Sequence, residues 1–289
     1  MIAEKPISFL KEAAAYEALW DSNKASIKTL SGFFSRLRGI NTSALVTGSK
    51  LQSYTDALTT VIHNNGLQYK IRLLVDEAPG YPVALKDAKE PVKVLYYSGN
   101  PELLQTRCIA IVGTRKPSAA GLARTTRLVK MLVKDNFTIV SGLAAGIDTQ
   151  AHTTAIACKG KTIAVIGTPM DEVYPQENTA LQQAIANDHL LISQVPFLRY
   201  RKQSYLENRL FFPERNKTMS ALSEATVIIE AGDRSGTLIQ AQAALYQKRK
   251  LFILDSCFQD STLAWPQRYL AMGAIRVKEY EEIVDALCE

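Results

Sequence analysis

The stretch Ile109-Ala110-Ile111-Val112-Gly113-Thr114-Arg115 decides the fold class. An apolar run stops at a glycine and hands over to a helical pattern that carries Leu122, Val129, Leu132 and Val133 on one face. That is how a buried parallel strand enters a phosphate-handling loop. A second unit of the same kind follows the first helix: Thr138-Ile139-Val140-Ser141-Gly142-Leu143-Ala144-Ala145-Gly146-Ile147-Asp148. Outward from these two, β-rich runs at 162–166, 190–193, 226–230, 251–254 and 274–277 alternate with helical segments. Crossover connections of this sort predict an α/β fold, a Rossmann-like and mostly parallel sheet with helices on both faces.

Upstream the pattern changes. Helical stretches near 8–20, 26–38 and 51–64 carry no strand-to-glycine signal, so residues 1–77 read as a small helical domain. Ala78-Pro79-Gly80-Tyr81-Pro82 is a turn-rich linker, and the segment from Glu90 to Tyr97 is expected to feed an edge strand. Residues 78–289 form the Rossmann-like domain.

The chain has 289 residues, 47% of them hydrophobic, enough to bury a substantial core. Lys and Arg exceed Asp and Glu by 34 to 28. That balance admits nucleic acid as a partner, and the clustering of the charges matters more than their sum. Cys108, Cys158, Cys257 and Cys288 lie far apart without metal-ligand spacing, so neither a metal nor a disulfide framework is expected. No apolar run approaches a membrane span, and Met1 to Trp20 is too polar for a signal peptide. The expectation is a soluble, cytoplasmic protein.

Four constellations carry chemistry. In Gly113-Thr114-Arg115-Lys116-Pro117-Ser118, Ser118 suits an N-cap, and the free amides of the helix start would meet the Arg115 fork at a phosphate. From Arg107 to Lys134 there are seven basic residues and no acidic one, with Arg124, Arg127, Lys130 and Lys134 near one helix face. A solvated face explains those four as well as a ligand does. In the second loop, Gly142 and Gly146 permit close backbone approach, Asp148 fits the N-cap of the next helix, and His152 lies one turn later. As acid and base these two lack a placed nucleophile, so they read as a cap and a packed polar residue.

The third constellation, from Leu198 to Thr218, interleaves Arg209, Arg215 and Lys217 with Tyr205, Phe211 and Phe212. Cations that track phosphates beside rings that stack bases suit single-stranded nucleic acid, although the phenylalanines are equally placed to fill a core. The fourth is Val227-Ile228-Ile229-Glu230-Ala231-Gly232-Asp233-Arg234-Ser235-Gly236-Thr237, another buried strand ending in a glycine turn. Ser235, Gly236 and Thr237 would offer hydroxyls and amides to a phosphate at the carboxyl edge of the sheet. The Walker lysine motif and a strict GxGxxG with its acidic partner are both missing, which argues against ATP hydrolysis and dinucleotide binding.

Together these residues resemble the DprA/Smf family of bacterial DNA-processing proteins. The resemblance covers roughly residues 78–254: Tyr81-Pro82, Ile111 to Arg115, Ser141 to Ala144 with Gly146-Ile147-Asp148 and Ala151-His152, Tyr174-Pro175, Phe212-Pro213 with Arg215-Asn216, and Glu230-Ala231 with Ser235 to Ile239. It implies an extended Rossmann fold that binds single-stranded DNA without sequence preference. It further implies a homodimer that loads a RecA-type recombinase and displaces single-strand-binding protein during transformation, without catalysis or a cofactor. By motif position, Gly113, Thr114, Arg115, Lys116, the Gly142 loop with Gly146, Arg215, Asn216 and Lys217 would hold phosphate, and Ser235 to Thr237 would close the pocket.

Departures are visible. Ser193-Gln194-Val195-Pro196 stands for the usual Ser-Glu-x-Pro, Asp255-Ser256 for a Pro-Gly, and Leu238-Ile239-Gln240-Ala241 for Leu-Ile-Thr-Ala. No winged-helix segment is expected after the Rossmann-like domain, and a role in plasmid, phage or defence biology stays open. The rival reading is a nucleotide-ligand sensor or an enzyme similar to the cytokinin-activating phosphoribohydrolases, with Glu230 or Asp148 as the catalytic carboxylate.

Overall fold

The computed structural model describes all residues except 1–6, 23, 38–39, 64–65, 67, 77, 87, 89 and 289. Its strands are β1 (Arg72–Val75), β2 (Val94–Gly99), β3 (Cys108–Val112), β4 (Thr138–Ser141), β5 (Thr162–Ile166), β6 (Leu190–Ser193), β7 (Ala225–Ile228), β8 (Lys250–Leu254) and β9 (Ile275–Val277). They form one sheet in the order β1-β2-β6-β5-β4-β3-β7-β8-β9. Every pairing from β6 to β9 is parallel, whereas β1 with β2 and β2 with β6 are antiparallel. The α/β class and the mostly parallel sheet expected from the sequence are what the structure shows.

Helices α1 (Phe9–Leu19), α2 (Ile27–Arg36) and α3 (Gly48–His63) precede the sheet. Around it lie α4 (Ala119–Lys134), α5 (Ile147–Ala157), α6 (Thr179–Asp188), α7 (Phe197–Lys202), α8 (Tyr205–Asn208), α9 (Phe211–Ala221), α10 (Thr237–Tyr246), α11 (Trp265–Ala271) and α12 (Tyr280–Cys288). All five residues of β3 are buried, because helices cover both faces of the sheet and leave no solvent side for alternation. One apolar cluster joins α4, α5 and α12 to one face through Ile109, Val129 and Ile283. The other face carries a larger cluster that also takes in Tyr16, Trp20 and Leu58 of the N-terminal helices.

Two expectations need correction. The strand expected over Glu90–Tyr97 is not an edge: β2 sits between β1 and β6, and the edge is β1, which lies within the segment 1–77 expected to be helical. The sheet therefore begins at Arg72, ahead of residue 78. A buried carboxylate also ties the N-terminal helices to the sheet domain. Glu17 of α1, 1% exposed, accepts from Tyr96 Oη and from the amides of Phe197 and Leu198 at the start of α7. Burial pushes its pKa up to about 7 against those hydrogen bonds.

From β3 the chain proceeds outward through β4, β5 and β6, then returns to place β7 on the other flank of β3. The loops after β3 and β7 diverge there, opening a crevice at the carboxyl edge of the sheet, the location where open α/β folds hold ligands.

Candidate nucleic-acid interface

Three loops meet at that crevice and are held by hydrogen bonds between them. After β3, the Thr114 amide donates to the Glu230 carbonyl at 2.7 Å, and Ile147 N donates to the Thr114 carbonyl at 3.2 Å. After β7, Thr237 Oγ1 donates to the Gly113 carbonyl at 3.2 Å, and Asn216 Nδ2 reaches the Gly236 carbonyl at 3.0 Å. Gly146 has φ 83°, and a Cβ there would press on the backbone of Thr114 and Arg115, so only glycine lets the second loop approach the first. The cleft between these loops has a volume of about 470 Å³.

Gly113, Thr114, Arg115, Lys116, Arg215, Asn216, Ser235, Gly236 and Thr237 all line this cleft. Gly142 and Gly146 lie behind it and shape its wall. A second cavity of about 530 Å³ adjoins it, sharing Arg115, Arg215, Asn216, Arg234 and Gly236 with the first. Its walls carry the rings of Tyr205, Phe212, Tyr174 and Tyr200. Tyr205 is 68% exposed, and Tyr174 packs edge-on to Phe212 with centroids 5.4 Å apart.

Several expected residues stand elsewhere. Phe211 is not available to a base: it is buried between Trp20 and Tyr200, with centroid separations of 5.7 and 6.2 Å. Lys217 lines neither cavity, and its ammonium is tied to Glu90 and Glu214. Both corrections have one cause. Successive residues on a helix point about 100° apart, so Phe211 faces inward and Phe212 outward, while Lys217 turns away from the crevice that Asn216 faces.

The start of α4 also differs from expectation. Ser118 is the N-cap, its Oγ accepting from Gly121 N at 2.9 Å. The Ser118 amide and hydroxyl, however, donate to the Glu230 carboxylate, so the negative charge at this helix terminus comes from the protein itself. Asp148 is not the N-cap of α5, which begins at Ile147 with Gly146 before it. Its carboxylate turns back and accepts from the amides of Gly142 and Ala144, so it caps the loop. Burial raises the Asp148 pKa to about 6, with Arg215 and those amides drawing it down. His152 is fully buried beside Thr162 Oγ1 at 2.7 Å, and burial holds its pKa down at about 3, so it is neutral.

Arg215 is buried too. Its guanidinium donates to the carbonyls of Gly142 and Val165, and burial lowers its pKa to about 10. It presents a positive field to the cleft without being free to follow a ligand. Arg115 and Arg234 are exposed on the rim. The sequence reading missed Arg234; the signal was an arginine directly before the Ser235-Gly236-Thr237 turn, in a loop already singled out. Among the described residues no group of His, Cys, Asp or Glu is arranged to hold a metal ion.

The departures from the family pattern settle into the core or pair up. Gln194 is buried and accepts from Thr218 Oγ1, and Asp255 accepts from Arg276 and Gln259.

The family model of the DNA recombination-mediator protein A matches residues 72–288. The chain belongs to that family. It is 36% identical over 210 residues to the DNA processing protein DprA of Bacillus subtilis (strain 168), an alignment covering 72% of this chain and 69% of that one. To the protein Smf of Synechocystis sp. it is 38% identical over 189 residues, 64% of this chain and 46% of the relative. Among solved structures, DNA processing protein A of Streptococcus pneumoniae superimposes with TM-score 0.75 at 26% identity, over 97% of this chain and 98% of that one. The Helicobacter pylori protein, whose structure was studied for its single-stranded DNA binding mode, gives TM-score 0.65 at 27% identity over 78% of this chain and 97% of that one. No helix among the described residues is long and apolar enough to cross a membrane.

Proposed function

We propose that this family member binds single-stranded DNA without sequence preference in the paired clefts at the β3/β7 switch point. The observation that carries this reading is the continuity of two unlike cavities. One is lined by the loops after β3 and β7 with Lys116, the other by Tyr205, Phe212 and Tyr174, and Arg115 and Arg234 stand on the border of both. Phosphates sit beside the cations, and bases stack on rings whatever their identity, which gives affinity without sequence readout. A duplex hides its base faces and offers the second cavity nothing.

Family membership supports the wider role: a non-catalytic mediator, acting as a homodimer in the cytoplasm, that hands single strands to a RecA-type recombinase and displaces single-strand-binding protein. Transformation is the process this role belongs to by resemblance, and mobile-element or defence DNA processing would use the same chemistry. The enzymatic alternative needs a carboxylate directed at a ligand. Glu230 is occupied by Ser118, and Asp148 by the amides of Gly142 and Ala144.

The test is fluorescence anisotropy of a labelled single strand against the matching duplex, with a panel of nucleoside monophosphates incubated in parallel. Preference for the strand with no base release is the expected result. Release of free base from a monophosphate would replace this reading with the hydrolase.

A further inference from the structure

A third cavity, of about 270 Å³, lies away from the DNA crevice, between α4, the segment after β8, and α12. Its floor is aliphatic: Leu128, Met131, Leu254, Val277 and Ile283. Its rim carries Arg124, Arg127 and Lys278. Two buried polar atoms in its wall, Arg124 Nε and Ser256 Oγ, have no hydrogen-bond partner. They leave this wall with hydrogen-bonding capacity that the protein itself does not use. From this rim the basic stripe Arg124, Arg127, Lys130 and Lys134 runs along α4, the last three exposed, and no ion pair with a described residue neutralises any of them. Like charges one turn apart destabilise a helix. The stripe is about 15 Å long, the reach of a short extended peptide.

We propose that this cavity and the α4 stripe form a docking site for an acidic peptide segment of a partner protein. One leucine or phenylalanine side chain enters the cavity, and the flanking carboxylates pair with Arg127, Lys130 and Lys134. A further carboxylate at the mouth pairs with the guanidinium of Arg124. The lining favours a peptide over a nucleic-acid strand. The one aromatic ring in the wall belongs to Tyr280, whose hydroxyl is held by Asp135, so no free platform awaits a base. Asp255 is already paired with Arg276, but Glu279 on the rim would repel a phosphate beside it, whereas a peptide can set a neutral residue there.

The experiment uses the full chain and a fluorescein-labelled synthetic peptide rich in Asp and Glu around a single Phe. Companion peptides replace the Phe with Ser, or the acids with Asn and Gln. The expected result is binding that weakens by about tenfold or more with either companion peptide, in the charge-reversed variant Arg127→Glu with Lys130→Glu, and in the cavity-filling variant Met131→Trp. Single-stranded DNA affinity of the charge-reversed variant stays close to wild type, because neither residue borders the crevice. The charge reversal is on exposed positions and keeps the test valid if the tryptophan variant does not fold. Absence of peptide binding by the wild type overturns the proposal, as does equal binding of the Ser peptide. Loss of DNA affinity in the charge-reversed variant with peptide binding intact also overturns it and makes the stripe a phosphate track.

Discussion

The guanidinium of Arg215 donates to the carbonyl oxygen of Gly142 and fills the space where any side chain at 142 would stand. The arginine at the back of the crevice is thus part of the scaffold. It fixes the loop after β4, and it sets the potential that the exposed cations Arg115 and Arg234 face from the rim.

Replacing Arg215 with methionine removes the nearby positive charge that favours the ionised form of Asp148 and leaves the carbonyls of Gly142 and Val165 without their donor. A buried acceptor left unpaired costs roughly 1–3 kcal/mol, measurable by urea unfolding. Burial raises the native pKa of Asp148 from 3.8 to about 6, so the native state holds this proton more tightly than the unfolded chain does. Its contribution to stability is fully present below 3.8 and is lost as pH rises through about 6. The variant removes the charge that favours ionisation and extends this loss upward. Its deficit relative to wild type is therefore greater above about pH 6 than in acid, and a deficit that does not change with pH would sever Asp148 from Arg215.

Gly146→Ala combines a positive φ with a collision against the backbone of Arg115. A strained backbone of this kind costs about 1–3 kcal/mol. Because the collision displaces the Arg115 loop, single-stranded DNA affinity falls even below the melting temperature. Calorimetry with anisotropy on the same sample checks both effects, and stability loss with unchanged affinity would remove the loop from the site.

Two aromatic residues of the same segment, Tyr205 and Phe211, separate by readout. Phe211→Ala empties a core position and costs about 3–5 kcal/mol of stability. Tyr205→Ala, on an exposed ring, leaves the melt unchanged and removes one stacking platform, worth roughly 1–3 kcal/mol of binding. Lys217→Ala, whose ammonium is already paired with two carboxylates, changes DNA affinity far less than Arg234→Ala. An anisotropy series on these variants inverts the account if Lys217 proves the more important cation.

Two buried groups predict opposite pH slopes. Glu17 has its pKa raised from 4.5 to about 7, so its contribution declines as pH rises across that interval. His152 has its pKa lowered from 6.5 to about 3, so stability is lost as pH falls through that interval. Relative to wild type, Glu17→Gln gains stability as pH rises toward 7, and His152→Asn gains as pH falls below 6.5. Chemical denaturation across that range reads both slopes.

Much of the sheet was legible because β3, β4 and β5 are covered on both faces and so appear as unbroken apolar runs ending at loops. β1 was not legible: Arg72 to Val75 is short, its first residue is exposed, and its place is set by antiparallel pairing to β2. Nothing local in Glu90 to Tyr97 says that β2 lies inside the sheet, since strand order is a tertiary property. At the site, the glycine turns announced the loops, and Arg115 fell where the first loop suggested. The phase of α9 did not show, because Phe211-Phe212 and Arg215-Asn216-Lys217 can be rotated by one residue without changing their composition. Glu230 at the start of α4 was also hidden, its partner Ser118 lying on a different strand-loop unit.

The most direct test of the central claim is the salt dependence of single-stranded DNA binding in wild type, Arg115→Ala, Arg234→Ala and the double variant. If both arginines contact phosphates on the border of the two clefts, each single variant weakens binding to every sequence and lowers the slope of log K against log salt by about 0.7, with about twice that change in the double variant. A folded double variant with unchanged affinity and slope would contradict the account and place the DNA elsewhere on the molecule.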